Sequence, residues 1–147
     1  MKLLLDTNVL IDYYAQRQPF FEAAKQLRIA QFFGDVELWA STQSFSDVEY
    51  ILRGALPVEE LRSIVAASLD FISVLSPTPA DLVSGLESDW PDLEDFLIAR
   101  CAKALKADYI ITRDQKGFAK SKVPAISPDE WVALMKEQGI VYDEVEI

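Results

Sequence analysis

A chain of 147 residues, half of them hydrophobic and about a quarter charged, is one domain's worth of globular protein and long enough to bury a core. With no histidine and one cysteine it cannot build a Ser-His-Asp or Cys-His nucleophile system, an imidazole base, an intramolecular disulfide or a His-bearing zinc site, so any metal it holds must sit among oxygen ligands that suit hard cations. A net charge of −10, from 14 basic and 24 acidic residues, argues against an extended basic surface wrapped by nucleic acid.

In chain order, the opening Met1-Lys2-Leu3-Leu4-Leu5 meets Asp6 too soon to form the apolar region of a signal peptide. No apolar run approaches the roughly 18 to 20 residues that span a bilayer, so a cytoplasmic protein with no membrane association is expected. Short apolar, β-branched runs at 2–5, 37–40, 71–75, 109–111 and 123–126 read as strands. Between them, segments of helical period cover 7–14, 20–33, 43–53, 58–69, 79–88, 93–106 and 128–138. This alternation is the pattern of a parallel sheet covered by helices, an α/β fold occupying a single domain over 1–147. Pro57, Pro77, Pro79, Pro91 and Pro128 fall at the proposed boundaries, and Gly34 and Gly54 stand where helices should stop. Cys101, among Ala99, Ala102 and Leu105, reads as a small core residue rather than a nucleophile. Charge is unevenly spread: six acids and no base lie from Asp81 to Asp95, whereas Arg113, Lys116, Lys120 and Lys122 face the single Asp114. The basic run is either ordinary solvated charge or a local surface that meets phosphates. The acidic tail, from about 139, alternates apolar and acidic residues over 141–147, and an edge strand, a disordered end and a docking segment all fit it.

In a doubly wound parallel sheet, ligands collect beyond the carboxyl ends of the strands, where strand order reverses. Asp6 follows the first strand at once, and Thr112-Arg113-Asp114 follow the fourth. Each aspartate also has a plain reading as a helix or turn cap. Asp95 lies one turn into the helix after Pro91 and shares a side with Asp92, while Asp92 and Glu94 suit the helix dipole alone. The segment Ser44-Phe45-Ser46-Asp47-Val48-Glu49 adds an acid near the start of another helix, and position favours Asp47 over Glu49. Several carboxylates brought together cannot all stay ionised unless protons or cations compensate them, and a divalent metal is the natural compensation. Mg²⁺ takes only one or two carboxylates directly and keeps several waters, a chemistry that serves phosphodiester hydrolysis without histidine. On position, Asp6 and Asp95 are the most direct metal ligands expected. Arg113 and Lys116, beside Asp114, are the candidates to neutralise the phosphate.

Four segments carry a resemblance: Leu4-Leu5-Asp6-Thr7-Asn8-Val9-Leu10-Ile11-Asp12; Ser46-Asp47-Val48-Glu49-Tyr50-Ile51-Leu52; Asp92-Leu93-Glu94-Asp95-Phe96-Leu97-Ile98-Ala99; and Ile111-Thr112-Arg113-Asp114-Gln115-Lys116-Gly117-Phe118. In this order they resemble the motifs of the PIN-domain family, in particular toxin ribonucleases of the VapC type, and the likeness runs from Lys2 to about Trp131. The resemblance implies a three-layer fold with a five-stranded parallel sheet in order 3-2-1-4-5, which sets Asp6 next to Asp114. It implies catalytic acids at Asp6, Asp47, Asp95 and Asp114, metal ligation by Asp6, Asp95 and Asp114, and support from Asn8 and Thr112. It further implies Mg²⁺ or Mn²⁺ as cofactor, RNA as substrate, a homodimer, and a cognate antitoxin protein whose segment crosses the acidic site. The family's second acid is commonly glutamate, whereas Asp47 aligns here with Glu49 close by.

Other classes fit less well. A phosphatase of the haloacid-dehalogenase class needs a second acid two residues after the first, and that residue is Asn8. A receiver domain needs an acidic pair near the end of the first strand, which is missing. A catalytically inactive fold used for binding finds no support, because none of the four acids is lost.

Overall fold

The computed structural model describes residues 1–142 and 145. Five strands, β1 (Lys2–Leu5), β2 (Glu37–Ser41), β3 (Ile72–Leu75), β4 (Tyr109–Ile111) and β5 (Ala125–Ile126), form one parallel sheet in the order β3-β2-β1-β4-β5. The central strand β1 places Leu4 between Trp39 of β2 and Ile110 of β4. The chain winds outward from β1 to β3 on one side, then crosses back to lay β4 and β5 on the other, so the order reverses between β1 and β4. Their carboxyl ends are tied together by the Asp6 amide, which donates to the Ile111 carbonyl at 2.9 Å. The α/β architecture and strand order expected from the sequence are those observed.

Among the described residues seven α-helices cover the sheet: α1 (Thr7–Tyr14), α2 (Phe21–Phe32), α3 (Thr42–Leu52), α4 (Val58–Ser68), α5 (Pro79–Leu86), α6 (Leu93–Leu105) and α7 (Pro128–Glu137). Their starts are set by side chains that satisfy amides the helix leaves unbonded. Ser41 accepts from Gln43, Asp92 from Asp95 and Ser127 from Glu130, and Thr78 with Asp81 forms a reciprocal capping box in front of α5. Boundaries differ from the sequence expectation by a residue or two, except that β5 is only two residues long. Val123 lies before the strand yet is buried, so its apolar character serves packing rather than pairing. A short 3-10 turn over Gln115–Phe118 follows β4 and is capped by Asp114, the plain turn-cap reading that the sequence offered for this residue.

Side-chain alternation along β1 divides the core. Leu3 and Leu5 face a layer with Val9, Leu27, Leu38, Val48 and the wholly buried Trp131, while Leu4 faces a smaller one with Ile98, Cys101, Ala102, Ile110 and Phe118. Cys101 is thus a core residue, and burial pushes its thiol up to about 11. The start of the acidic tail is docked: the Tyr142 hydroxyl donates to Asp35 at 2.6 Å and its ring stacks on Trp131, with centroids 6.0 Å apart. The tail's alternating pattern over 141–147 falls partly on residues 143, 144, 146 and 147, which lie outside the described residues. No helix among the described residues is long and apolar enough to cross a membrane.

Helix α6 ends on Lys106, which holds left-handed backbone angles (φ 58°, ψ 44°) without the freedom of glycine. Lys106→Gly is expected to raise stability by up to about 1 kcal/mol, read as a higher urea midpoint at unchanged slope.

Candidate active site

The reversal of strand order puts two loops side by side, and the sequence fills both with short polar residues. Asp6 leaves β1 and is almost fully buried. One carboxylate oxygen accepts the Thr7 amide at 2.8 Å, and the other accepts the Thr112 hydroxyl at 2.8 Å and the Asn8 amide group at 3.4 Å. Asn8 in turn donates to the Thr112 hydroxyl at 3.2 Å and accepts the Arg113 amide at 3.2 Å. Thr112 also accepts the Asp114 amide at 2.9 Å. Asp6 is therefore both the cap of α1 and a carboxylate of the cleft, and Asn8 and Thr112 lock it to the strand that delivers Asp114. Burial raises the Asp6 carboxyl above its ordinary range, opposed by the Thr112 and Thr7 hydrogen bonds.

Asp95 enters from the first turn of α6. Its carboxyl is pushed up to about 6, first by burial and then by repulsion from Asp92, Asp6 and Asp114. A Cβ added to Gly117 would run into both the Asp95 and the Asp114 carboxylate oxygens, so the two acids converge on the one residue of the 3-10 turn that lacks a side chain. Asp114 accepts the Gly117 amide at 3.4 Å, a long cap that leaves most of the carboxylate available to the cleft.

From the opposite wall, α3 contributes Asp47, which shares a hydrogen bond with Glu94 of α6. Glu94 is pushed up to about 7, by burial first, then by the bond to Asp47 and its charge, then by Asp6 and Asp92. Glu94 is the site residue that sequence reasoning set aside as a helix-dipole acid. Only the run of acids without a base hinted at it, since its partner lies 47 residues earlier on a helix that the fold alone brings opposite. Glu49 points outward and is bound by Arg62 at 3.0 and 2.6 Å, so of the two α3 acids Asp47 is the one in the cleft.

The basic candidates are placed differently from the expectation. Arg113 donates from Nε to Asp12 at 2.7 Å and from Nη2 at 3.2 Å, with its guanidinium carbon 3.9 Å from the Phe20 ring centroid. Asp12 is 1% exposed, and a carboxylate that deeply buried requires a counter-charge. In this structure the Arg113 guanidinium, expected from the sequence to face the phosphate, is paired with Asp12 and does not line the cleft. Lys116 is exposed on the 3-10 turn and does not line the cleft.

Together these acids line an open cleft of about 500 Å³ that Asp6, Asn8, Asp47, Asp92, Glu94, Asp95 and Asp114 share with Tyr50 and Ile51, and among the described residues no basic side chain lines it. Among the described residues, no three carboxylates stand close enough to enclose an ion as they are. The donor set is nonetheless all oxygen and electrostatically under-compensated, which fits a hard cation. Mg²⁺ takes one or two direct carboxylates and keeps water elsewhere in its shell, so a closed cage is not required.

A family model described as PIN domain matches residues 2–116. No curated protein matches. Among solved structures, a toxin–antitoxin complex from Klebsiella pneumoniae superposes with a TM-score of 0.61 at 22% identity, covering 86% of this chain and 97% of that one. VapBC-1 from nontypeable Haemophilus influenzae gives 0.62 at 21% identity, covering 88% and 99%. FitAB bound to an IR36 DNA fragment gives 0.64 at 20%, covering 86% and 94%. At these identities the likeness is one of fold.

Two outcomes follow from the geometry. Gly117→Ala should leave unfolding within about 0.5 kcal/mol of the parent, because only side-chain tips must yield. It should nevertheless weaken Mn²⁺ binding at least about tenfold, as measured by calorimetric titration; unchanged affinity would show that Asp95 and Asp114 need not converge. The second outcome concerns pH in metal-free protein. Asp95 and Glu94 titrate higher in the folded chain than the roughly 4 of an unfolded one. Their contribution to stability is thus complete below about pH 4 and is lost as pH rises through about 6 and 7. In EDTA the unfolding temperature should be lower at about pH 8 than at about pH 5, and Glu94→Gln should narrow the gap.

Proposed function

The chain belongs to the PIN-domain family, and on that premise we propose that it is a Mg²⁺- or Mn²⁺-dependent endoribonuclease, the toxin of a cytoplasmic toxin–antitoxin pair. The observation that carries this reading is the convergence of carboxylates from four separate segments on one cleft at the point where strand order reverses. Burial first, and then repulsion among the acids, raises Asp95 and Glu94 well above ordinary carboxylates, and among the described residues no basic side chain lines the cleft to compensate them.

Asp6, Asp95 and Asp114 are the residues that would hold the cation. Bound there, a divalent cation supplies the positive charge that acidifies water and stabilises charge gathering on a phosphate. Thr112 and Asn8 fix the orientation of the Asp6 carboxylate by hydrogen bonds to its oxygen. Glu94, with its proton held against Asp47 and released near neutrality, is suited to pass a proton to or from an oxygen of the scissile phosphodiester. A chain without histidine lacks the usual pair for activating an RNA 2′-hydroxyl, so water is the nucleophile and the products carry 5′-phosphate and 3′-hydroxyl ends. One solved structure of similar fold is a toxin–antitoxin complex, which supports an antitoxin as partner. Tyr50 and Ile51, 67% and 49% exposed on the cleft rim, give such a partner, or a second copy of the chain, an apolar foothold beside the acids.

The test is incubation of purified protein with a mixed RNA pool, with and without EDTA, beside Asp6→Asn. Cleavage should fall at least about a hundredfold in the variant and vanish in EDTA. Cleavage undiminished in EDTA would refute metal dependence, and 2′,3′-cyclic phosphate ends would refute water as the nucleophile.

A further inference from the structure

A ribonuclease whose cleft carries acids and, among the described residues, no base must attract its substrate elsewhere, and one groove away from the cleft gathers cations. Between α6 and the connection over 119–124 that leads into β5 lies a cavity of about 150 Å³. Phe96, Arg100 and Lys103 stand on the same face of α6 at i, i+4 and i+7, and Lys120 and Lys122 meet them from the connection. The half-exposed Trp90 closes one side, edge-on to Phe96 with ring centroids 5.6 Å apart. Arg100 is held by Asp81 at 3.1 Å and Lys120 by Asp89 at 2.9 Å, but the Asp89 side chain is 90% exposed, so that pair is weakly bound in water. Lys103 and Lys122 are exposed and carry no hydrogen bond or ion pair to a described residue. Four cations thus gather against two carboxylates in a chain of net charge −10.

The position is as informative as the charge. Helix α6 begins at the cleft with Asp95, and the connection follows the turn capped by Asp114, so both walls of the basic groove start at carboxylates of the cleft. From Asp95 to Lys103 the helix rises about 12 Å, a distance that a few nucleotides of single strand bridge. A cavity of about 150 Å³ accepts a benzene-sized ring, and a cationic track with an aromatic platform is how proteins hold single strands without reading a duplex.

We propose that this groove is the binding site for the single-stranded RNA flanking the scissile bond, with a nucleobase against Trp90 and phosphates on Lys103 and Lys122. The proposal rests on the ribonuclease reading of the cleft and names where its substrate is held. An acidic peptide would satisfy the lysines but leave the aromatic cavity without a ring to fill it.

The experiment measures binding of a labelled single-stranded RNA of about ten nucleotides in EDTA, where cleavage is stopped, as a function of salt. Lys103→Gln/Lys122→Gln should bind at least about tenfold more weakly, with a slope of log affinity against log salt shallower by about 1.4, or roughly 0.7 for each lost phosphate contact. Trp90→Leu should lose affinity at an unchanged slope, and Lys25→Gln, on α2, should bind as the parent does. In Mg²⁺ the double variant should raise KM for the RNA pool and leave kcat unchanged. The lysines are exposed, so that variant remains a test even if Trp90→Leu folds poorly. Parent-like affinity and KM in the double variant overturn the groove, as does duplex RNA bound as tightly as single strand or polyglutamate bound more tightly than RNA. RNA bound through the groove by a protein that never cleaves it would instead refute the ribonuclease reading and leave the groove standing.

Discussion

Everything at the functional end of this molecule depends on like charges being forced together. Strands β1 and β4 are neighbours joined by a backbone hydrogen bond, and the residues that leave them are Asp6 and, three positions beyond the end of β4, Asp114. Helix α6 then starts over the same spot and α3 over its far side, adding Asp95, Glu94 and Asp47. Such a cluster works against folding unless its charge is reduced. The chain does this with hydrogen bonds to the most buried member, Asp6, and by raising Asp95 and Glu94 to where protons are held near neutrality. The same under-compensation gives a hard cation its reason to bind.

Countercharge is available in the chain but is kept out of the cleft. Arg113 is spent on the buried Asp12, Arg62 on the outward Glu49, and Arg100 on Asp81. Pairing Arg113 with Asp12 also fixes the loop after β4, because its backbone amide is held by Asn8 while its side chain reaches back to α1. A basic residue adjacent in sequence to a cleft acid is therefore a structural strut, and Lys103, Lys120 and Lys122 collect along α6 and the connection to β5. Charge in this molecule is segregated rather than mixed, with acids in the cleft and cations along the groove beside α6.

Glycine at 117 links backbone to site. Its φ is unremarkable, so the residue is needed for space: two carboxylates occupy the volume that a side chain would fill. Precision at the cleft thus comes from local crowding around a short 3-10 turn as much as from the sheet.

Strand and helix positions, the α/β class, the buried character of Cys101 and the preference for Asp47 over Glu49 were legible in the sequence, because each follows from local periodicity, capping chemistry or distance from a strand end. The fold implied by the four motifs was legible too, down to the strand order. What the sequence left open was which of two plausible roles each polar residue takes. Asp6 proved to be cap and cleft acid together, Arg113 was drawn to an aspartate 101 positions away, and Glu94 became part of the site only through Asp47 on another helix. Local pattern determines which element a residue joins and which way it tends to face. Burial and the identity of a distant partner determine its charge and its role, and those are set only when the elements pack.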